Sequence, residues 1–132
     1  ERESGIRGIL NLGHTLGHAY ETAAGYGQLR HGEAIALGIR FAVALSESES
    51  GLPKEDAVLI NETLDAFGLP TDWASRTTAE VLQSVSLDKK MRGDHVHTIQ
   101  LRALGHAIIA PMAMEVFAQR ALALADMAKE RQ

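Results

Sequence analysis

The stretch GEAIALGIRFAVALSES, residues 32–48, is apolar on almost every side between Ala34 and Leu45. Apolar residues all round a helix are typical of one that is enclosed by other elements rather than lying on a surface. The pattern therefore predicts the central core helix of the fold, with the rest of the chain packed around it.

Four more helices are predicted from apolar residues at helical spacing and from signals at the helix ends. They cover residues 6–24, 53–67, 77–87 and 112–129. Gly25-Tyr26-Gly27 ends the first of them, and Gly68 with Pro70 ends the second. The third opens with Thr77-x-x-Glu80, which has the form of a capping box.

The predicted helix over 53–67 is amphipathic and is expected to pack by a single face. That face consists of Ala57, Ile60, Leu64 and Phe67. Between His95 and Ala110, two extended segments flank Gly105 and predict a small β-hairpin. We therefore expect residues 1–132 to form a single, mostly α-helical domain, a helical bundle with a small β-hairpin.

Composition excludes several classes of function. Seventeen acidic residues against thirteen Lys and Arg give a net charge of -4, so the chain lacks the broad basic surface that nucleic acids require. Without cysteine, a metal must be bound by His and carboxylate side chains. Arg40 interrupts the longest apolar stretch before it reaches membrane-spanning length. We expect a cytoplasmic protein with neither nucleic-acid nor membrane partners.

The first helix carries a polar stripe of Arg7, Asn11, His14 and His18. At helical geometry these residues fall within a wedge of about 60°. Polar side-chain groups on an otherwise apolar helix need a polar partner, because burying them without a hydrogen bond costs free energy. A ligand, a metal or water is expected along this stripe, and the alternative is a face turned to bulk solvent.

Gly13 and Gly17 accompany the stripe on the same helix. A side chain of a single hydrogen at both positions permits the close approach of a second backbone or of a ligand. Glycine inside a helix costs about 1 kcal/mol relative to alanine, so this spacing has a cost that packing must offset.

Three histidines are candidate metal ligands. His14 and His18 are four residues apart, as in the zinc-protease motif, but Thr15 stands where that motif has its catalytic glutamate, which excludes a protease. His31, which precedes Gly32-Glu33, supplies a third imidazole if the first two helices are antiparallel, although His31-Gly32-Glu33 also fits a helix N-terminus. Spacing alone leaves open which two of the three histidines bind a metal.

A cationic segment follows, and it is predicted to be a loop from Lys89 to Gly93. Lys89, Lys90 and Arg92 could hold a phosphate or carboxylate, or could form a solvated turn. His95 and His97 fit an exposed edge strand and are left out of the site. The chain has no glycine-rich phosphate loop of its own, so any nucleotide is expected to be bound elsewhere.

Three segments together resemble the C-terminal domain of the 3-dehydroquinate synthase family. They are RGILNLGHTLGHAYE at residues 7–21, GYGQLRHGEAIALGI at 25–39 and LDKK at 87–90. In this family an N-terminal domain binds NAD and the helical C-terminal domain carries much of the metal and substrate site. The resemblance implies that 3-deoxy-D-arabino-heptulosonate 7-phosphate is converted to 3-dehydroquinate and phosphate, a step of the shikimate pathway.

The resemblance also implies roles for the histidines. His14 and His31 match two ligands of the divalent metal, zinc or cobalt, and the third family ligand is an upstream glutamate absent from this sequence. His18 then faces the substrate, where it can bind it or relay protons.

Further residues match the family's substrate-binding positions. Arg7, Asn11 and Lys90 match them directly, and Lys89 is the second choice beside Lys90. The chain resembles a piece of a longer protein, which is expected to be a homodimer, and these 132 residues are not expected to catalyse the reaction alone. Two alternatives remain: a sibling cyclase acting on sedoheptulose 7-phosphate or glucose 6-phosphate, and a non-catalytic helical module that binds metal.

Overall fold

The computed structural model describes residues 13, 16–25, 27–92 and 95–131, with the side chains of 88–92 and 99 excepted. Helices predominate in this part of the chain, and its sheet is one antiparallel pair of strands. The prediction of a mostly α-helical fold with a small hairpin is confirmed. None of the described helices is long and apolar enough to cross a membrane.

The elements follow one another as α1 (16–24), α2 (His31–Ser50), α3 (Lys54–Ala66), α4 (Trp73–Arg76), α5 (Ala79–Arg92), β1 (His95–Ala103), β2 (His106–Ala113) and α6 (Met114–Glu130). The first predicted helix is confirmed over 16–24, and its predicted start at residue 6 lies outside the described residues. The hairpin pairs His95 with Ala113 at its open end and turns at Gly105, whose φ is +77°.

Helix α2 is the central element, as its apolar sequence predicts. Its buried residues form one core with side chains from α1, α5 and α6, among them Leu16, Val81 and Phe117. Phe41 stands at the middle of this core and makes edge-on ring contacts with Trp73 at 5.9 Å and Phe117 at 5.8 Å between ring centroids. Burial of these large side chains is the main force that holds the helices together.

Helices α1 and α2 pack backbone to backbone. A Cβ placed on Gly17 would lie 3.1 Å from the carbonyl oxygen of Ala34, and one placed on Gly38 would lie 2.6 Å from the carbonyl oxygen of Gly13. The close approach predicted for Gly13 and Gly17 is therefore confirmed, and the approaching backbone is that of α2.

The far end of α2 packs on the hairpin. Ser46 Oγ donates to the carbonyl oxygen of Ala42 and accepts the backbone N–H of Leu101 at 2.9 Å. Val43 and Leu101 also share a second, smaller apolar cluster with Leu52 and Ala57. These contacts attach the hairpin to the half of α2 that lies away from His31.

Two details of the predicted helices are wrong. Phe67 is 79% exposed, because α3 ends at Ala66 and packs through Ala57 and Ile60 instead. Thr77 does not cap the next helix: the cap is Thr78, whose Oγ1 accepts the backbone N–H of Val81 at 3.2 Å.

Candidate active site

A tight turn between α1 and α2 builds the described part of the site. Gly25 and Gly27 have φ values of +96° and +79°, a region that glycine adopts without strain. The backbone N–H of Gly25 donates to the carbonyl oxygen of Glu21 at 3.2 Å, which closes the end of α1. The chain then reverses, so that His31, the first residue of α2, lies beside the last turn of α1.

His31 and Glu21 make the central contact of this site. The distance from His31 Nδ1 to Glu21 Oε1 is 3.0 Å, and the two side chains are 63% and 29% exposed. Both are polar groups at a surface position where a ligand can reach them. The pair joins the last turn of α1 to the first turn of α2.

Glu33 has a different role. Its Oε1 accepts the backbone N–H of Arg30 at 2.9 Å, which satisfies one of the donors that every helix N-terminus leaves open. The interpretation of His31-Gly32-Glu33 as a helix N-terminus is therefore confirmed for Glu33. The His31 side chain instead contacts Glu21.

His18 lies on α1 three residues before Glu21, and residues at this spacing share a helix face. The His18 side chain is exposed, and its carbonyl oxygen accepts a hydrogen bond from Thr22 Oγ1 at 2.9 Å. The structure thus places His18 and Glu21 on one accessible face of α1.

Tyr20 anchors α1 from the buried side. Its hydroxyl lies 2.8 Å from Thr77 Oγ1, and Thr77 Oγ1 in turn lies 2.7 Å from the carbonyl oxygen of Trp73. Because the single hydroxyl proton of Thr77 is donated to Trp73, Tyr20 is the donor in the first bond. Burial raises the pKa of the Tyr20 hydroxyl to about 12.

Comparison with known proteins assigns the chain to a family. The family model for the 3-dehydroquinate synthase C-terminal domain matches residues 1–91. The chain belongs to this family. It is also 39% identical over 115 residues to the 3-dehydroquinate synthase of Streptococcus pneumoniae strain JJA, covering 87% of this chain and 32% of that protein.

Solved structures show the same fold. A 2-deoxy-scyllo-inosose synthase complexed with carbaglucose-6-phosphate, NAD+ and Co2+ superposes with a TM-score of 0.64 at 22% identity. That alignment covers 85% of this chain and 32% of the other. A second structure of a 2-deoxy-scyllo-inosose synthase gives a TM-score of 0.61 at 22% identity, over 84% of this chain and 30% of the other. The chain thus spans about a third of the length of the relatives it matches.

Some of the residues that the family resemblance implies for the site lie outside the described part of the chain. They are Arg7, Asn11 and His14. Their roles stay predictions. Within the described residues, no group of three or more His, Asp or Glu side chains is arranged to hold a metal.

The cationic segment is helical where a loop is predicted. Helix α5 runs on past Leu87 through Lys89 and Lys90 to Arg92, so the predicted loop from Lys89 is wrong. His95 and His97 are exposed on β1, in agreement with the edge-strand interpretation.

A cleft of about 320 Å³ lies between α1 and the start of α5. Three of its polar lining residues make hydrogen bonds within the protein: Thr22 donates to His18, Thr78 caps α5, and Arg76 Nε donates to Asp72 Oδ2 at 3.1 Å. Its lining residues do not include His18, Glu21 or His31.

Sequence reasoning did not identify Glu21 as a site residue. Its position contained a signal, since Glu21 follows His18 by three residues and so continues the helical spacing of the polar stripe. The sequence alone does not predict that Glu21 contacts His31, because the turn between α1 and α2 decides which side chain lies beside His31.

Proposed function

We propose that this chain is the metal- and substrate-binding domain of a 3-dehydroquinate synthase that acts in the shikimate pathway. The protein would convert 3-deoxy-D-arabino-heptulosonate 7-phosphate into 3-dehydroquinate and phosphate. The observation that carries the proposal is the 39% identity to a protein of that name. The accessible His31, held by Glu21 at the junction of α1 and α2, supports it from the structure.

One described residue, His31, has the chemistry of a metal ligand. His31 presents an imidazole, a ligand common to zinc and cobalt sites, with a carboxylate on one ring nitrogen, as is usual for metal-binding histidines. We propose His14 and His31 as metal ligands, with the third ligand a glutamate of the preceding part of the protein. When bound, the cation would stabilise negative charge on substrate hydroxyl oxygens.

The other site residues of this chain would bind and orient the substrate. His18, on the exposed face of α1, would hydrogen-bond a substrate oxygen and hold or pass a proton there. Arg7, Asn11 and Lys90, with Lys89 as the second choice, would fix the phosphate, the carboxylate and the hydroxyls. Fixing a flexible sugar acid in one orientation removes much of the entropic part of the barrier.

We propose further that this domain works within a longer cytoplasmic protein. Its N-terminal domain would bind NAD, which supplies a transient oxidation of the substrate, and the full-length protein would form a homodimer. The chain alone spans about a third of its relatives and is expected to be inactive without that domain.

Phosphate release by the full-length protein, with NAD and zinc, tests the proposal. The assay offers 3-deoxy-D-arabino-heptulosonate 7-phosphate, sedoheptulose 7-phosphate and glucose 6-phosphate in parallel. We expect release from the heptulosonate alone. Release only from another sugar would move the protein to a sibling cyclase, and release from none would leave a non-catalytic metal-binding module.

A further inference from the structure

We propose that Glu21 is a positioning residue that sets the orientation of His31 as a metal ligand. The inference rests on the proposed function, because it takes His31 to be a ligand. It adds Glu21 to the residues that the family resemblance implies for the site.

The contact itself defines the orientation. With Glu21 Oε1 at 3.0 Å from His31 Nδ1, the carboxylate is an acceptor and the ring nitrogen must carry the proton. A proton on Nδ1 fixes the tautomer in which Nε2, on the opposite edge of the ring, is the nitrogen that binds a metal. A carboxylate partner also makes the imidazole a stronger ligand.

His31 stands at the surface, so a polar contact at its ring bears directly on how the ring is oriented. The side chain is 63% exposed and stands on the first residue of α2, where core packing does not restrict its rotamer. Glu21 is better fixed than its partner. It is only 29% exposed and adjoins Tyr20, which the core and Thr77 hold in place.

Charge gives a second reason. The N-terminus of α2 carries the positive end of the helix dipole, which disfavours a bound cation. Glu33, the acidic residue of that first turn, is engaged by the backbone N–H of Arg30. The Glu33 and Glu21 carboxylates both offset this repulsion, and Glu21 is the one in direct contact with His31.

The test is a titration of the metal-free, full-length protein with Zn2+ and with Co2+. The variants are Glu21→Ala, which removes the contact, and Glu21→Gln, which keeps an acceptor oxygen without the charge. His31→Ala serves as the reference for a lost ligand. Glu47→Gln is the matched control. Glu47 lies on α2 like His31, but near the other end of that helix, where its carboxylate is 4.0 Å from Lys54 Nζ.

We expect Glu21→Ala to weaken metal affinity about 10- to 100-fold, the usual effect of removing the partner of a metal-binding histidine. Glu21→Gln should fall between Glu21→Ala and the wild type, and Glu47→Gln should bind as the wild type does. The visible absorption of the bound Co2+ should shift in Glu21→Ala, because a reoriented imidazole changes the coordination geometry. A loss of fold alone would not produce this graded series.

Two results would overturn the inference while leaving the proposed function intact. One is wild-type affinity in Glu21→Ala when His31→Ala binds poorly, and the other is an equal loss in Glu47→Gln. Wild-type affinity in His31→Ala would instead contradict the proposed function, since His31 would then not be a ligand.

Discussion

Arg40 lies in the middle of the buried helix α2 and is only 4% exposed. Its guanidinium donates to Pro70 O at 2.7 Å, to Asn61 Oδ1 at 2.9 Å and to Asp65 Oδ1 at 2.8 Å. A buried charge is tolerated only when it is paired and hydrogen-bonded, and here the partners come from α3 and from the segment that follows it. Arg40 thus joins α2 to the segment that leads to α4.

Replacing Arg40 is expected to destabilise the chain much more than replacing its acidic partner. Arg40→Ala leaves carbonyl groups without a donor and should lower the free energy of unfolding by about 3 kcal/mol. Asp65→Ala should lower it by about 1 kcal/mol or less, because Asp65 is 53% exposed and water can replace it. Urea unfolding followed by circular dichroism gives both values, and equal losses would contradict this account.

Tyr20 is expected to make the free energy of unfolding fall as the pH rises through the alkaline range. Because its pKa rises from 10.0 to about 12 in the folded chain, the folded state holds the hydroxyl proton more tightly than the unfolded state does. This contribution is fully present below pH 10 and is lost as the pH rises to about 12. A rise in pKa from 10.0 to about 12 corresponds to about 3 kcal/mol of folding free energy.

The variant Tyr20→Phe isolates this effect. It should be less stable than the wild type by about 1 kcal/mol near neutral pH, because one buried hydrogen bond is lost. It should also lack the Tyr20 part of the decline between pH 10 and 12. Phenolate absorbance and urea unfolding over that range measure both, and identical pH profiles for the two proteins would refute the assignment.

At the scale of elements, the packing of α1 on α2 depends on glycine. A Cβ on Gly38 would meet the Gly13 carbonyl oxygen at 2.6 Å and the Gly13 Cα at 2.7 Å, and these are backbone atoms, which cannot swing aside as the end of a flexible side chain can. Among the described residues, Gly32, on the same helix, has no atom within 4 Å of such a Cβ. The two positions form a matched pair.

Gly38→Ala is expected to lower the free energy of unfolding by about 1–3 kcal/mol through overpacking. Gly32→Ala should be neutral or raise it by up to about 1 kcal/mol, because alanine is the better helix former. Thermal unfolding of the two variants side by side checks the sign. Equal stabilities would show that α1 and α2 do not pack as closely as described.

The sequence predicts the elements well because their signals are local. The apolar run of α2 and the glycines at its ends, and Gly105 in the hairpin, depend on neighbouring residues alone. The errors arise where distant residues decide. Thr77 has a capping-box spacing, but its hydroxyl is bonded to Trp73 and Tyr20, and Tyr20 lies 57 residues away.

The site shows the same division between local and distant signals. The motifs around His18 and His31 indicate the family without any knowledge of the geometry. Glu21 was missed because its role depends on the turn that places it against His31, and the partners of Arg40 were missed because they lie 21 to 30 residues away. Residue types predict which chemistry is available, whereas the packing of α1 on α2 decides which side chains meet.

At the scale of the whole molecule, the buried core and the proposed site occupy different parts of the described chain. The core around Phe41 and the attachment of the hairpin lie along α2, while the His31–Glu21 pair stands at the exposed start of that helix. Under the proposed function, a bound metal and substrate would be held at the exposed start of α2. This arrangement suits a domain whose site is completed by another part of a longer protein.

The most direct test of the proposed function is bound metal and phosphate release measured together in full-length His31→Ala. The control is His97→Ala, since His97 is exposed on β1 and outside the site. We predict that His31→Ala loses both its metal and phosphate release from 3-deoxy-D-arabino-heptulosonate 7-phosphate, while His97→Ala keeps both. Normal metal content and turnover in His31→Ala would contradict the account.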